Sequence, residues 1–269
     1  MKSGLALTAV FVFVLSGCNG GGTHSDVSSP GTEKSLKTAA LERGAELLQS
    51  KPPIGSINAY LDGFHFYSGH MKGQMEAHHY CAILSDDFIQ CVIYDGNVKD
   101  AKIMGVEYIV SEKLFATLPS GEKALWHSHV HEVKSGQLIA PNIPEPAEHA
   151  LMQKLIHTYG KTWHTWHTDL DKQLPIGVPQ LMMGFTQDGQ ADTEMVKARD
   201  QRFRVASDKK KRDRADIIAP PIDPSADGWE HGKPIQLSDP TGSQHDYEHG
   251  DNRPMTTPAA NANGRSEKP

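Results

Sequence analysis

Residues 88–95 (FIQCVIYD) and 101–110 (AKIMGVEYIV) decide the fold: both are rich in β-branched and aromatic residues, and Gly96-Asn97 with polar neighbours separates them. Two such runs joined by a turn predict an antiparallel strand pair. On the C-terminal side, residues 111–118 (SEKLFATL) read as a short helix stopped by Pro119, and residues 124–130 (ALWHSHV), 161–169 (KTWHTWHTD) and 180–187 (QLMMGFTQ) supply three more strands. A helix opened by Pro146 spans 146–159, with Leu151, Met152, Leu155, Ile156 and Tyr159 as its apolar stripe, and a charged helix over 192–214 closes the domain. On the N-terminal side, residues 33–50 form an amphipathic helix ending at Pro52-Pro53, and the aromatic and Met residues of 57–75 predict a second, less regular helical region. Neither βαβ repeats nor a Gly-rich phosphate fingerprint occurs. The expected class is therefore α+β, a single domain with a mainly antiparallel sheet of about five strands and packed helices.

The ends differ in kind from this body. Lys2 followed by an 11-residue apolar run, Leu5 to Leu15, reads as a secretory signal peptide over residues 1–17. That run is shorter than the roughly 20 residues a spanning helix needs. Leu15-Ser16-Gly17-Cys18 resembles the lipobox of bacterial lipoproteins, which makes Cys18 the expected lipidation site and residues 18–32 a flexible tether. Asn19 after that cysteine favours the outer membrane facing the periplasm. Residues 33–219 form the globular body, and the Pro-, Gly- and His-containing residues 220–269 are expected to be a disordered tail.

A net charge of −6 argues against a nucleic-acid partner. The basic run at 209–214 (KKKRDR) ends the closing helix, where cations suit the helix dipole. Export permits a disulfide between Cys81 and Cys91, although spacing alone does not fix the pairing.

Eleven of the 15 histidines fall between His65 and His167, and no G-x-S-x-G elbow is present, so the chemistry centres on imidazole and carboxylate. His127 and His129 alternate along a strand and share one face, where both reach one metal. His131 continues that face, and Glu132 joins it where the strand breaks or bulges. Glu148 starts the apolar stripe of its helix and needs a partner there, with His149 beside it. His78 and His79 follow Glu76, and adjacent strand residues diverge, so one of the two points inward. His164 and His167 likewise cannot share a face. The ligand set for a divalent transition metal, zinc or iron, is thus His127, His129 and Glu132, with His149, Glu148, His78, His79 and His164 as further candidates. HSHVHE also resembles a cupin metal motif, but the Gly-rich strand repeat and matching later histidine of cupins are incomplete here.

The segments FHFY (64–67), EAHHYC (76–81), QCVIYD (90–95), GVEYIVSEKLFATLP (105–119), LWHSH (125–129), EVKSG (132–136), KTWH (161–164) and LPIGVPQLMMGFTQDGQ (174–190) resemble, in order, the oil body-associated protein family of plants and its bacterial relatives. The resemblance covers about residues 38–205 and implies an α+β fold with no established enzymatic activity. By position it carries over His78, His79, His127, His129, Glu132, Glu148, His149, His164 and Trp166. His131 and His167 depart from it and leave the proposed site. The intracellular relatives imply that Cys81 and Cys91 also exist as thiols.

Two functions follow as expectations. One is a lipid-anchored bacterial envelope protein whose non-catalytic domain binds lipid, an envelope component or another protein, held to the membrane by its N-terminal anchor. The other is a metalloprotein or metal-dependent enzyme using His127 and His129 as ligands, with a carboxylate as ligand or general base.

Overall fold

The computed structural model describes residues 22–232 and 234–238. In chain order the elements are α1 (Leu36–Leu48), α2 (Pro52–Gly55), β1 (Ala59–Tyr67), β2 (His70–Ile83), β3 (Phe88–Tyr94), β4 (Ile103–Ser111), α3 (Glu112–Ala116), α4 (Ser120–Lys123), β5 (His127–Ser128), α5 (Val130–Lys134), α6 (Glu145–Leu155), β6 (Thr158–His164), β7 (Gln180–Met183), α7 (Thr193–Phe203) and α8 (Ser207–Asp213). The class is α+β with an antiparallel sheet. Among the described residues the sheet has seven strands rather than about five, in the order β4-β3-β2-β1-β7-β6-β5. Pairing of β4 with β6, from Gly105 opposite His164 to Ser111 opposite Thr158, closes six of these strands into a barrel. Closure removes the edges that an open sheet leaves unpaired.

The two additional strands come from residues 57–75, where the spacing of aromatic and Met residues predicts a helix. These residues form β1 and the start of β2, joined at Ser68-Gly69 and paired from Ala59 opposite Cys81 onward. The reason is burial on both faces: seven consecutive residues of β1, Leu61 to Tyr67, are buried, so the period-2 alternation that marks a half-exposed strand is erased.

Other boundaries shift for local reasons. The strand expected at 124–130 holds only at His127–Ser128, because His129 turns (φ −81°, ψ 3°) to start α5. The closing helix breaks into α7 and α8 where Arg204 adopts a left-handed conformation, φ 54°. Ser35 caps α1 by accepting a hydrogen bond from Thr38 N, yet no α1 residue is buried.

Cross-strand register places Leu61 opposite His79, Cys81 opposite Cys91, Cys91 opposite Glu107, and Glu107 opposite Thr162, so these side chains share the inner face. One end of the barrel is filled by Leu61, Ile109, Val133, Leu138, Met152 and Leu155 under α5 and α6. The other end is filled by Tyr67, Met75, Ala77, Ile93, Met104 and Met182. Outside, Phe64, Phe66, Leu181, Met183 and Phe185 pack against α7 and Trp229. Each fully buried Val, Leu, Ile, Phe or Met side chain among these contributes about 1.5–3 kcal/mol. Cys81 and Cys91 are joined by a disulfide, their Cα atoms 4.0 Å apart.

A buried cation ties α7 to the barrel. Arg199, fully buried, donates from Nη1 to Asp62 Oδ1 (2.8 Å) and Gln137 O (2.7 Å), from Nη2 to Ser207 Oγ and from Nε to Asp200. Part of the segment assigned to the tail also packs on the body: Ala226 and Asp227 are buried, and the Gln236 side chain accepts a hydrogen bond from Leu181 N at 2.8 Å. The rest of that tail, from residue 239 on, lies outside the described residues, as do residue 233 and residues 1–21 with Cys18.

Candidate metal centre

Between its two apolar ends the barrel holds a layer of polar side chains: His65 from β1, His79 from β2, Glu107 from β4, His127 from β5, His129 and Glu132 at the start of α5, and His164 from β6. None of the seven is more than 4% exposed. The break after Ser128 is what lets Glu132 join. In a continuous strand it would face away from His129, whereas one turn of α5 brings its Oε2 to 3.7 Å from His129 Nε2.

Glu107 lies at the centre. Its Oε1 is 3.4 Å from His127 Nε2 and 3.3 Å from His129 Nε2. Its Oε2 is 2.9 Å from His79 Nε2. Two overlapping triads, His127–His129–Glu132 and His65–Glu107–His127, each place one donor atom per residue within 4.8 Å of the others. An ion about 2.1 Å from each of its ligands holds neighbouring donors about 3.0–3.5 Å apart. The Glu107 contacts fall in that range, and the Glu132 contact lies just beyond it.

Protonation follows from the neighbours. Thr158 donates its hydroxyl hydrogen to Leu155 O at 2.6 Å, so its oxygen accepts from His129 Nδ1 at 2.7 Å. A neutral His129 therefore carries its hydrogen on Nδ1 and turns the Nε2 lone pair toward the Glu107 and Glu132 oxygens. Lone pair against carboxylate is repulsive unless a proton or a metal ion lies between them, and His129 Nε2 stands within hydrogen-bond distance of Glu107 Oε1, 3.3 Å. Burial drives His65 well below the usual imidazole range and His164 down to about 3, so both stay neutral. Among the described residues, the Nδ1 of His65 and both ring nitrogens of His127 and of His164 are buried without a hydrogen-bond partner. Burial pushes Glu132 up to about 7, whereas for Glu107 burial is outweighed by His127, His129 and His79, which hold it well below the carboxylate range. Burial lowers His79, but Glu107 together with Glu132 and Asp62 outweighs it, so the group is raised.

Two glycines make room for these groups. A Cβ on Gly160, directly opposite His127, would lie 2.0 Å from Glu107 Oε1 and 2.8 Å from His127 Nε2. One on Gly184 would lie 3.0 Å from His127 Cδ2 and 3.1 Å from Glu132 Oε1. Asp227 supports the same loop from behind: its Oδ1 accepts from Ser128 N at 3.2 Å. Burial raises this carboxyl to about 7.

Of the residues singled out by sequence, the structure brings together His127, His129, Glu132, His79 and His164. His78 faces out of the barrel, 3.0 Å from Asp62 Oδ2 and 2.8 Å from Tyr60 Oη, with Glu76 beyond it. Glu148 finds its partners in Ala140 N (3.0 Å), Arg214 and Lys210. His149 pairs with Asp216 at 2.9 Å. These three stand apart from the barrel layer. Sequence reasoning missed His65, Glu107 and Asp227. For Glu107 the signal was present, since it alternates with Gly105 and Ile109, but Val106 and Tyr108 made its face look like the solvent face.

The chain is similar to curated plant proteins. It is 42% identical over 217 residues to oil body-associated protein 1B of Arabidopsis thaliana, covering 80% of this chain and 90% of that protein. It is 42% identical over 195 residues to oil body-associated protein 1A of Zea mays, covering 72% and 82%. With oil body-associated protein 2C of Arabidopsis thaliana it shares 37% over 212 residues, covering 77% and 90%. No solved structure matches the chain. These relatives correct the expectation of a bacterial lipoprotein exported to an outer membrane facing the periplasm, and with it the expected role of an envelope-anchored lipid- or protein-binding module: they are plant oil body-associated proteins. Among the described residues, no helix is long and apolar enough to cross a membrane. A family described as a protein of unknown function (DUF1264) matches residues 51–218, and the chain belongs to that family.

Proposed function

We propose that the barrel is a metal-binding domain that holds one divalent transition ion on His127, His129 and Glu132, with Glu107 and His65 in reach of the same centre. The observation that carries this reading is the His129 tautomer: Thr158 fixes the hydrogen of a neutral His129 on Nδ1, so its Nε2 faces two carboxylates, 3.3 and 3.7 Å away, with a place for a proton or a metal ion between them. A divalent cation satisfies all of these atoms together, and two carboxylates balance its charge. Imidazole and carboxylate ligands suit zinc or iron. His79 beside Glu107 and Thr158 on His129 serve to orient the ligands, as outer-shell groups do.

The test is elemental analysis of full-length protein purified without a histidine tag, together with His127→Ala and His129→Ala. About one equivalent of metal in the wild type and a loss of most of it in both variants is expected. A trace content that neither substitution changes overturns the reading.

A further inference from the structure

We propose a second metal site at the Oε2 side of Glu107, formed by His79, Cys81 and Cys91 when the two cysteines are thiols rather than a disulfide, and taking a zinc-class ion. It shares Glu107 with the centre on His127, His129 and Glu132 but is tested separately from it. The strand register places these side chains. Cys81 of β2, Cys91 of β3 and Glu107 of β4 stand directly opposite one another across three neighbouring strands, and His79 lies two residues before Cys81 on the same inner face. His79 and Glu107 come from the two strands that flank β3, yet His79 Nε2 is 2.9 Å from Glu107 Oε2. Their side chains therefore meet across the inner face of β3, where Cys91 is the residue opposite Glu107.

The donor set suits a soft divalent ion. Zinc takes thiolate and imidazole ligands together, with sulfur at about 2.3 Å, so two thiolates on one tetrahedral ion stand about 3.8 Å apart. A directly opposed pair whose Cα atoms are 4.0 Å apart reaches that spacing with the bridge open. His79 Nε2 supplies a third donor and Glu107 Oε2 a fourth. None of the four residues is more than 4% exposed, and the cysteines share an apolar cluster with Leu61, Ile89 and Ile109. In such surroundings an unligated thiol keeps its proton, and the ion displaces one proton from each sulfur. Closing the bridge withdraws both sulfurs from any ion. Opening it by a dithiol moves two electrons and two protons to the pair and leaves the reductant as its own disulfide. Burial keeps reductants from the folded pair, so the site arises where the chain folds under reducing conditions, which hold cysteines as thiols.

Full-length protein carrying Cys18→Ser, without a histidine tag, tests the proposal. It is expressed and purified under argon with a phosphine reductant and compared with the same protein folded in air, free thiols being counted in each. With Co(II), the thiol form should show thiolate-to-cobalt charge-transfer absorption in the near ultraviolet and bind one equivalent more than the disulfide form. Cys91→Ser should lose that added equivalent and His79→Gln should weaken it by at least about tenfold, whereas His127→Ala keeps the thiolate band. Two free thiols with no thiolate band overturn the site and leave the other centre standing. Equal cobalt affinity in the thiol forms of the parent and His79→Gln overturns His79 as a ligand. A thiolate band with no further cobalt supports this site and overturns the centre on His127, His129 and Glu132. If a variant does not fold, the thiol and disulfide forms of the parent decide by themselves.

Discussion

Gly160→Ala is the substitution for which the structure makes the sharpest demand. The new methyl would sit 2.0 Å from Glu107 Oε1, 2.8 Å from His127 Nε2 and 2.9 Å from His127 Cε1. A non-bonded carbon–oxygen contact settles at about 3.3 Å, so Glu107 must retreat by more than about 1 Å. Metal–ligand distances tolerate only about 0.2 Å, so a shift of that size would take the carboxylate away from the proposed ion. Loss of an outer-shell partner alone costs about 10- to 100-fold in affinity, and losing Glu107 should exceed the upper figure. Backbone propensity points the other way, because Gly in a strand is about 0.5–1 kcal/mol worse than Ala. A folded Gly160→Ala with impaired metal affinity therefore separates the site from general stability. The assay is zinc competition against a chromophoric chelator, with Gly121→Ala, where a Cβ meets nothing within 4 Å, as control. Affinity for Gly160→Ala within about threefold of wild type would refute the assignment of Glu107 to the centre, since even an outer-shell loss costs more.

Three other outcomes are expected. Arg199→Ala leaves Asp62 buried without its cation and should destabilise the fold by about 3–5 kcal/mol in denaturant melts; a loss under about 1 kcal/mol would show that the pair does not hold α7. Asp227 has a folded pKa of about 7 against an unfolded value near 4, so its stabilising contribution is present below pH 4 and is lost as pH rises through 7. Asp227→Asn should thus gain on the wild type by about 2–3 kcal/mol between pH 5 and pH 8, and a pH-independent difference sinks this account. Replacing both Cys81 and Cys91 by Ala opens a loop of sequence separation 10 and should cost about 2–3 kcal/mol in melts under non-reducing conditions, whereas an unchanged midpoint would mean that the bridge constrains nothing.

Local chemistry made some elements readable. The runs at 88–95 and 101–110 form β3 and β4 because their β-branched content and the intervening turn depend on few distant residues. Pro146 marks the start of α6 for the same reason. Burial on both faces concealed β1, where covering by α7 on the outside and the polar layer on the inside left no alternation. His127 and His129 were legible from alternation alone, while Glu132 depended on where the strand ended.

By itself the sequence determined the α+β class and the family resemblance, from segments in order along the chain, and the β3–β4 pair and the nearness of His127 to His129, which rest on neighbours within a few residues. Tertiary structure decided the rest. Only closure of β4 onto β6 turns the acid of GVEYIV into the barrel, reversing the face that its apolar neighbours suggest. The same closure brings Glu107 against histidines from β2 and β5 and from the turn into α5. Residues so distant along the chain meet because the barrel has one interior, and no spacing within a single segment encodes that meeting.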